Sequence, residues 1–151
     1  MPIDKSYIPV NRMAVNAAEW DVAGKLNINY GGMLILEPGA IWLESFSEAL
    51  TAHAGGGQAS ALVLTALLNR VTTVATIADS VKLLPTTNYI SNSSSGSVTV
   101  INAAANALQI YGNGSDTING VAAATGVSIP GGKTASFFTT LAGAWHMQLS
   151  A

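Results

Sequence analysis

The chain has 151 residues, of which 49% are hydrophobic and only 9% are charged, and its formal net charge is −2. This length suits one domain with an appended arm, and the absence of a basic run argues against nucleic-acid binding. Cysteine is absent, which excludes disulfides and thiolate chemistry. So little charge is typical either of a hydroxyl-coated monomer or of a subunit that buries much of its surface against others. We favour the second interpretation.

Residues 1–24 are interpreted as an extended N-terminal arm, because Pro2 and Pro9 favour extended backbone just before them. The alternative is a strand or loop that completes the core of the domain itself. The start lacks the apolar core of a secretory signal, and the longest apolar run, 59–68, is too short for a membrane helix. We therefore expect a protein that is made in the cytoplasm and has no membrane partner.

Residues 25–48 contain three aligned eight-residue blocks, KLNINYGG, MLILEPGA and IWLESFSE. Short fixed periods are typical of repetitive β structure, in which one unit cannot bury its apolar face alone. Three blocks would suffice if several chains wrapped around one axis, and a β-meander is the alternative. The arm and this repeat supply the candidate interface residues, which are apolar or aromatic: Ile3, Tyr7, Ile8, Trp20, Leu34, Leu36 and Trp42.

The segment Ser45–Ala54 is predicted to be a short helix. Its apolar and aromatic residues recur at helical spacing, and Ser45 with Glu48 fits a capping box. The glycine triplet 55–57 would end the helix and act as a flexible linker. We place a domain boundary there, so that 25–57 is a short β-repeat segment with a helix and a linker.

Residues 58–151 are predicted to form a β-domain, with strands near 61–68, 70–77 and 80–84 and a polar loop over 88–96. From 97 to 148, apolar residues alternate with polar ones between Asn, Gly and Pro turn signals. The predicted fold is all-β, an antiparallel β-sandwich or small jelly-roll-like barrel. The positions expected to face its core are Val98, Val100, Asn102, Leu108, Ile110, Val127, Ile129, Phe137, Trp145 and Met147.

The segment 112–118 resembles one copy of a calcium-binding nonapeptide repeat, G-G-x-G-x-D-x-U-x, in which successive turns share an ion. Only one copy is present, and Tyr111 stands where the first glycine belongs. We therefore interpret it as a hairpin loop in which Asp116 accepts hydrogen bonds from backbone amides.

The sequence Gly132-Lys133-Thr134 matches the end of a phosphate-binding loop. The full motif needs a glycine at the position of Val127 and a helix after the threonine, and the sequence offers neither. A hairpin turn is the better interpretation.

The two histidines and eight carboxylates show no spacing that predicts a metal site or a catalytic triad. The sequence therefore predicts a protein that is not an enzyme and has no cofactor and no metal. A catalytic carboxylate pair can be distant in sequence, so a sugar-cleaving depolymerase is kept as an alternative.

The run from about Asn69 to Ala151 resembles a β-module of tailed-phage and prophage virion proteins. The resemblance rests on RVTTVATIADSVKLLP, VTVINAAANALQIYGNGSDTINGVAAATGVSIPGGKTASFF and AGAWHM, which together cover a little over half of the chain. It implies a head decoration (cement) or fibre protein, commonly a trimer seated on a capsid or on a fibre axis. No functional residue is carried over from the family.

The first hypothesis is a homotrimeric capsid decoration protein that binds the major capsid protein on the virion surface and stabilises the shell. The alternative is a head- or tail-fibre module that adheres to host-surface glycans through exposed loops. The loop residues expected to take part are Asn92, Ser94, Asn113 and Asp116.

Overall fold

The computed structural model describes residues 44–90 and 95–151, which belong to a compact unit spanning Leu43–Ala151. The predicted arm and most of the eight-residue repeat lie outside these residues. So do all seven candidate interface residues: Ile3, Tyr7, Ile8, Trp20, Leu34, Leu36 and Trp42.

Ten β-strands and one 3₁₀ turn (Thr86–Asn88) make up the regular structure of the described residues. The strands are β1 Phe46–Thr51, β2 Leu62–Val63, β3 Leu68–Thr73, β4 Ser80–Lys82, β5 Gly96–Asn102, β6 Leu108–Tyr111, β7 Thr117–Ile118, β8 Val127–Ile129, β9 Thr134–Leu141 and β10 Ala144–Leu149. The all-β prediction is confirmed. The strands predicted near 61–68, 70–77 and 80–84 correspond to β2, β3 and β4; all are shorter than predicted, and β3 begins two residues earlier.

The first six strands alternate between two sheets. The larger sheet has the order β1-β3-β5-β9-β10-β7, and the smaller has the order β2-β4-β6-β8. Within them, β1, β3 and β5 are parallel neighbours, as are β2, β4 and β6. The chain therefore makes three successive coils, each contributing one strand to each sheet, before the direction of the strands reverses.

The prediction of an antiparallel, jelly-roll-like arrangement is wrong for the first six strands, which pair with one another in parallel. The antiparallel pairs are β8 with β6 and β9 with both β5 and β10, whereas β10 runs parallel to its other neighbour, β7. Alternation of side chains is the same in parallel and antiparallel strands, so it does not reveal strand direction. The turn at Pro130–Lys133 likewise carries the chain from one sheet to the other instead of closing a hairpin.

The apolar core lies between the inner faces of the two sheets. Its largest side chains, Trp145 and Phe137, come from the larger sheet, and Leu108, Ile110 and Ile129 come from the smaller one. The inward positions predicted from alternation are confirmed: all are buried or, for Val127 and Met147, half-buried against the core.

The helix predicted over Ser45–Ala54 is wrong, because this segment contains β1. The Ser45 hydroxyl accepts the N–H of Leu67, 3.1 Å away, and does not cap a helix. Ala49 has φ +56°, which interrupts β1 with an irregularity in its pairing. Parallel pairing with β3 outweighs the local helical spacing.

The glycine triplet lies inside the compact unit and does not separate two parts of it. The Gly55 N–H donates to Asp79, and the Gly57 N–H donates to the Tyr111 hydroxyl. The boundary predicted after Gly57 therefore differs from the structure, in which the unit already begins at Leu43.

Candidate interaction face

The outward side of the larger sheet is the most extensive regular surface of the described residues. Along β5 and β9 every second side chain is buried, so the residues between them point outward. Those outward residues are mainly hydroxyl-bearing, with a few large apolar side chains among them. We call this surface the outer face; on β3, β5, β9 and β10 it comprises Leu68, Arg70, Thr72, Ser97, Thr99, Ile101, Thr134, Ser136, Phe138, Thr140, His146 and Gln148.

An exposed apolar pair lies at the β1 side of this sheet. Phe46 and Leu68 are register partners on β1 and β3, and they are 68% and 36% exposed. Beside them, Arg70 and Glu48 form an ion pair with 3.1 Å between Nη1 and Oε2. Both charged side chains are well exposed, so their pairing contributes at most about 1 kcal/mol to stability.

A second exposed ring lies on β9, in the middle of the outer face. Phe138 is 41% exposed, and its ring stacks on the imidazole of His146 with centroids 5.6 Å apart and planes 24° apart. The two residues are register partners on β9 and β10. The two stacked rings are therefore both partly exposed on the outer face.

Hydroxyl and amide groups occupy the next rung of strands beside these rings. Ser136 pairs in register with Thr99 on one side and with Gln148 on the other. A shallow groove of about 250 Å³ runs along this rung, lined by Thr134, Ser136, Gln148, Leu149 and Ser150. The groove lining contains no acidic or basic side chain.

The structure changes the interpretation of the predicted contact loops. Asp116 is buried, and its Oδ2 accepts the backbone N–H of Thr86 at 2.8 Å. Asn113 is half-buried and donates weakly to the Leu83 carbonyl oxygen at 3.4 Å. The other two predicted contact residues, Asn92 and Ser94, lie outside the described residues. Asp116 therefore has a structural role: its carboxylate accepts a hydrogen bond from the backbone of a distant loop.

The second buried carboxylate, Asp79, organises the turn between β3 and β4. It accepts the backbone N–H of Thr76, the Thr76 hydroxyl and the N–H of Gly55. These donors, with the Thr76 backbone N–H first, lower the pKa of Asp79 below its ordinary value of 3.8. Through these hydrogen bonds the Asp79 carboxylate connects the backbone at Gly55 to the turn that follows β3.

The described residues form neither a metal site nor a phosphate-binding loop at Gly132-Lys133-Thr134. There, no three His, Cys, Asp or Glu side chains come close enough together to hold a metal ion. The Lys133 ammonium donates to the carbonyl oxygen of Ala151, and Thr134 begins a strand, not a helix. Within residues 44–90 and 95–151, no helix is long and apolar enough to cross a membrane.

Sequence reasoning did not identify the outer face as a site, although a signal was present. Two adjacent pairs, Phe137-Phe138 and Trp145-His146, place consecutive rings in strands whose side chains alternate in direction. In each pair the first ring is buried and the second is exposed. An aromatic residue immediately after a core aromatic in a strand therefore indicates an exposed ring.

Comparison with known proteins found no matching family, no matching curated protein and no matching solved structure.

Proposed function

We propose that this chain is a structural protein of a phage particle, a head decoration protein that binds the outside of the capsid as a homotrimer. The observation that carries the proposal is the outer face, a sheet surface with exposed aromatic and aliphatic side chains. Its one ion pair within the described residues is Glu48–Arg70. The resemblance of residues 69–151 to phage virion modules supplies the biological setting.

The β1 side of the sheet has the character of a subunit contact. Protein interfaces are enriched in aromatic residues and depleted of charge at their centres, and the pair Phe46 and Leu68 fits this composition. In the described sheet, β1 is also an edge strand with one hydrogen-bonding side unpaired. Edge strands readily pair with another chain unless they are covered. Both features favour a neighbouring subunit at this edge.

The mechanism we propose is mechanical. A trimer that bridges neighbouring capsid subunits adds buried apolar area, worth ~25 cal/mol per Å², and this area must be exposed again before the shell expands. The contribution of one copy is small compared with that of the many copies on a shell. Under this proposal the arm residues Ile3, Tyr7 and Ile8 are candidates for the capsid contact.

The first experiment measures the mass of the purified chain by sedimentation and native mass spectrometry. We expect a trimer, which dissociates when Phe46→Ala and Leu68→Ala are combined. The matched control is Ile77→Ala, which removes a side chain that is 77% exposed in the turn between β3 and β4, away from the outer face.

The second experiment mixes the protein with empty capsids of the phage that encodes it and locates bound protein by electron microscopy. We expect density on the outside of the shell and a higher melting temperature for decorated shells. A stable monomer that leaves capsids unbound would overturn the proposal. A trimer that persists in the double variant would place the subunit contact outside the Phe46–Leu68 pair.

A further inference from the structure

The sequence contains two Asn-Gly pairs, Asn113-Gly114 and Asn119-Gly120, and they lie on either side of β7. In such a pair the backbone nitrogen of the glycine can attack Cγ of the asparagine, since glycine has no side chain to obstruct the approach. A bond forms between that nitrogen and Cγ, the bond from Cγ to Nδ2 breaks, and ammonia leaves. Water then opens the succinimide ring to aspartate or isoaspartate. Both pairs carry the same reactive groups, so the fold decides which of them reacts.

Asn119 is exposed, but its side-chain amide is held on both sides. Its Oδ1 accepts the N–H of Met147 at 2.8 Å, and its Nδ2 donates to the Met147 carbonyl oxygen at 3.3 Å. The amide thus takes the place of a strand residue beside β10, and the Asn119 backbone N–H donates to the Trp145 carbonyl oxygen. Before Cγ can reach the nitrogen of Gly120, the side chain must give up both hydrogen bonds to Met147.

Asn113 is half-buried, yet its side chain is held by much less. Its Nδ2 donates to the Leu83 carbonyl oxygen at 3.4 Å, which is longer than a typical hydrogen bond. Among the described residues no donor reaches its Oδ1. The following Gly114 is exposed, with φ +56° and no atom within 4 Å of the position that a Cβ would occupy. The space around this peptide therefore lets the side chain fold over it.

The backbone on either side of Asn113 is held by one side chain from the first coil. The Nε2 of Gln58 donates to the carbonyl oxygens of Gly112 and Gly114, at 2.8 and 2.7 Å. Because the loop must change shape before the succinimide ring can close, these two hydrogen bonds slow the reaction. They also make the loop sensitive to the product, because isoaspartate inserts an extra CH2 group into the backbone between the two carbonyls.

We propose that Asn113 is a site of spontaneous deamidation, whereas pairing with Met147 protects Asn119. Deamidation adds one negative charge to a chain whose formal net charge is −2. In the aspartate product the carboxylate faces the Leu83 carbonyl oxygen with no donor between them. In the isoaspartate product the lengthened backbone no longer presents both carbonyl oxygens to Gln58. Either product loosens the loop after β6, and the inference does not depend on the proposed function.

The test incubates the full-length protein at warm, mildly alkaline pH, where the attacking nitrogen loses its proton more readily. Peptide mapping by mass spectrometry follows the gain of about one dalton at each asparagine, and isoaspartate methyltransferase labelling detects the second product. The same incubation in concentrated urea is the unfolded reference, in which both Asn-Gly pairs should react at similar rates. In the folded protein Asn113 should react about fivefold faster than Asn119, the effect of one additional hydrogen bond of about 1 kcal/mol.

Two matched variants and one loosened variant locate the reaction. Asn113→Gln and Asn119→Gln each remove one pair, because a glutamine side chain must close a larger ring and reacts much more slowly. Asn113→Gln should remove most of the acidic species that ion exchange resolves after incubation, and Asn119→Gln should leave that species in place. Gln58→Ala should raise the rate at Asn113 about fivefold and leave the rate at Asn119 unchanged. Urea midpoints confirm that each variant is folded.

Three outcomes would overturn the proposal: equal rates at the two asparagines of the folded protein, a faster reaction at Asn119, or no reaction at Asn113 while both react in urea. The role given to Gln58 has its own refutation. An unchanged rate at Asn113 in Gln58→Ala, or an equal rise at both asparagines, would overturn it.

Discussion

Asn102, at the end of β5, is fully buried and connects three parts of the chain. Its Nδ2 donates to the carbonyl oxygens of Asn106 and Ile129, each at 2.9 Å, and its Oδ1 accepts the N–H of Ala104 at 3.2 Å. The side chain thus closes the turn that follows β5 and ties it to β8. Asn102→Ala would remove all three hydrogen bonds at once.

The expected cost follows from these contacts. A hydrogen bond contributes about 1 kcal/mol net, and more when a buried partner is left unsatisfied, so Asn102→Ala should destabilise the protein by about 3 kcal/mol. This is a large fraction of the roughly 5–15 kcal/mol that stabilises an ordinary domain. With an m-value of about 1.5 kcal/mol per molar urea, the unfolding midpoint should fall by about 2 M.

The assay is equilibrium urea unfolding followed by tryptophan fluorescence, to which the buried Trp145 contributes together with Trp20 and Trp42. The matched control is Asn88→Ala, an exposed asparagine in the 3₁₀ turn, whose effect should stay within about 0.5 kcal/mol. Asn102→Asp keeps the size of the side chain but removes the donor, so it should be at least as destabilising as Asn102→Ala. Equal midpoints for Asn102→Ala and Asn88→Ala would refute the reasoning.

Three further predictions concern single positions. Asp79→Asn should destabilise the protein at neutral pH in urea unfolding. Because the folded state lowers the pKa of Asp79 from 3.8, its stabilisation is present above that pH and is lost as the pH falls through the lower folded value, so the gap between Asp79→Asn and the original chain should narrow in acid. Gly126→Ala should lower the melting temperature strongly, since φ is +63° there and an added Cβ would meet the Ile110 carbonyl oxygen; equal melting temperatures would contradict this. Glu48→Ala, which breaks the exposed pair with Arg70, should change the free energy of unfolding by less than about 1 kcal/mol, and a larger change would show that the pair is not solvent-screened.

The sequence predicts the core of this fold well because alternation of side chains is a local property of a strand. Spacing alone places Val98, Val100 and Asn102 on one face, and all three are buried. Turns are also predicted locally, by residue type. The Asn-Gly pair indicates a turn, and Asn119 and Gly120 both have positive φ.

Strand partners are not predicted by alternation, because pairing joins residues that are distant in the chain. Leu68 lies beside Thr99 and Phe46, and nothing in the spacing of these residues indicates a parallel neighbour. The same limitation explains the helix predicted at Ser45, since only the presence of β3 makes that segment a strand. The prediction that Asp116 accepts a backbone amide is confirmed, but its burial is not predictable locally, because the donor, Thr86, lies 30 residues away.

The candidate site combines a predictable and an unpredictable part. That Phe138 points outward follows from a buried Phe137 beside it. The register of β9 and β10 places Phe138 beside His146 and Ser136 beside Gln148. A shift of one residue in one strand would turn its side chains to the other face of the sheet. The register also depends on an irregularity in the pairing between Ala144 and His146, which separates these pairs from the turn at Ala142-Gly143.

The reversal of the chain after the third coil has a consequence for how the protein folds during synthesis. β5 (Gly96–Asn102) has its second neighbour in β9, which begins at Thr134. At a synthesis rate of 5–20 residues per second, the roughly 30 residues between them take about 2–6 s to appear. During that interval the β5 edge is open to strands of other nascent chains. Slow translation through 103–133 should therefore lower the soluble yield, whereas translation rates upstream of β5 should matter less.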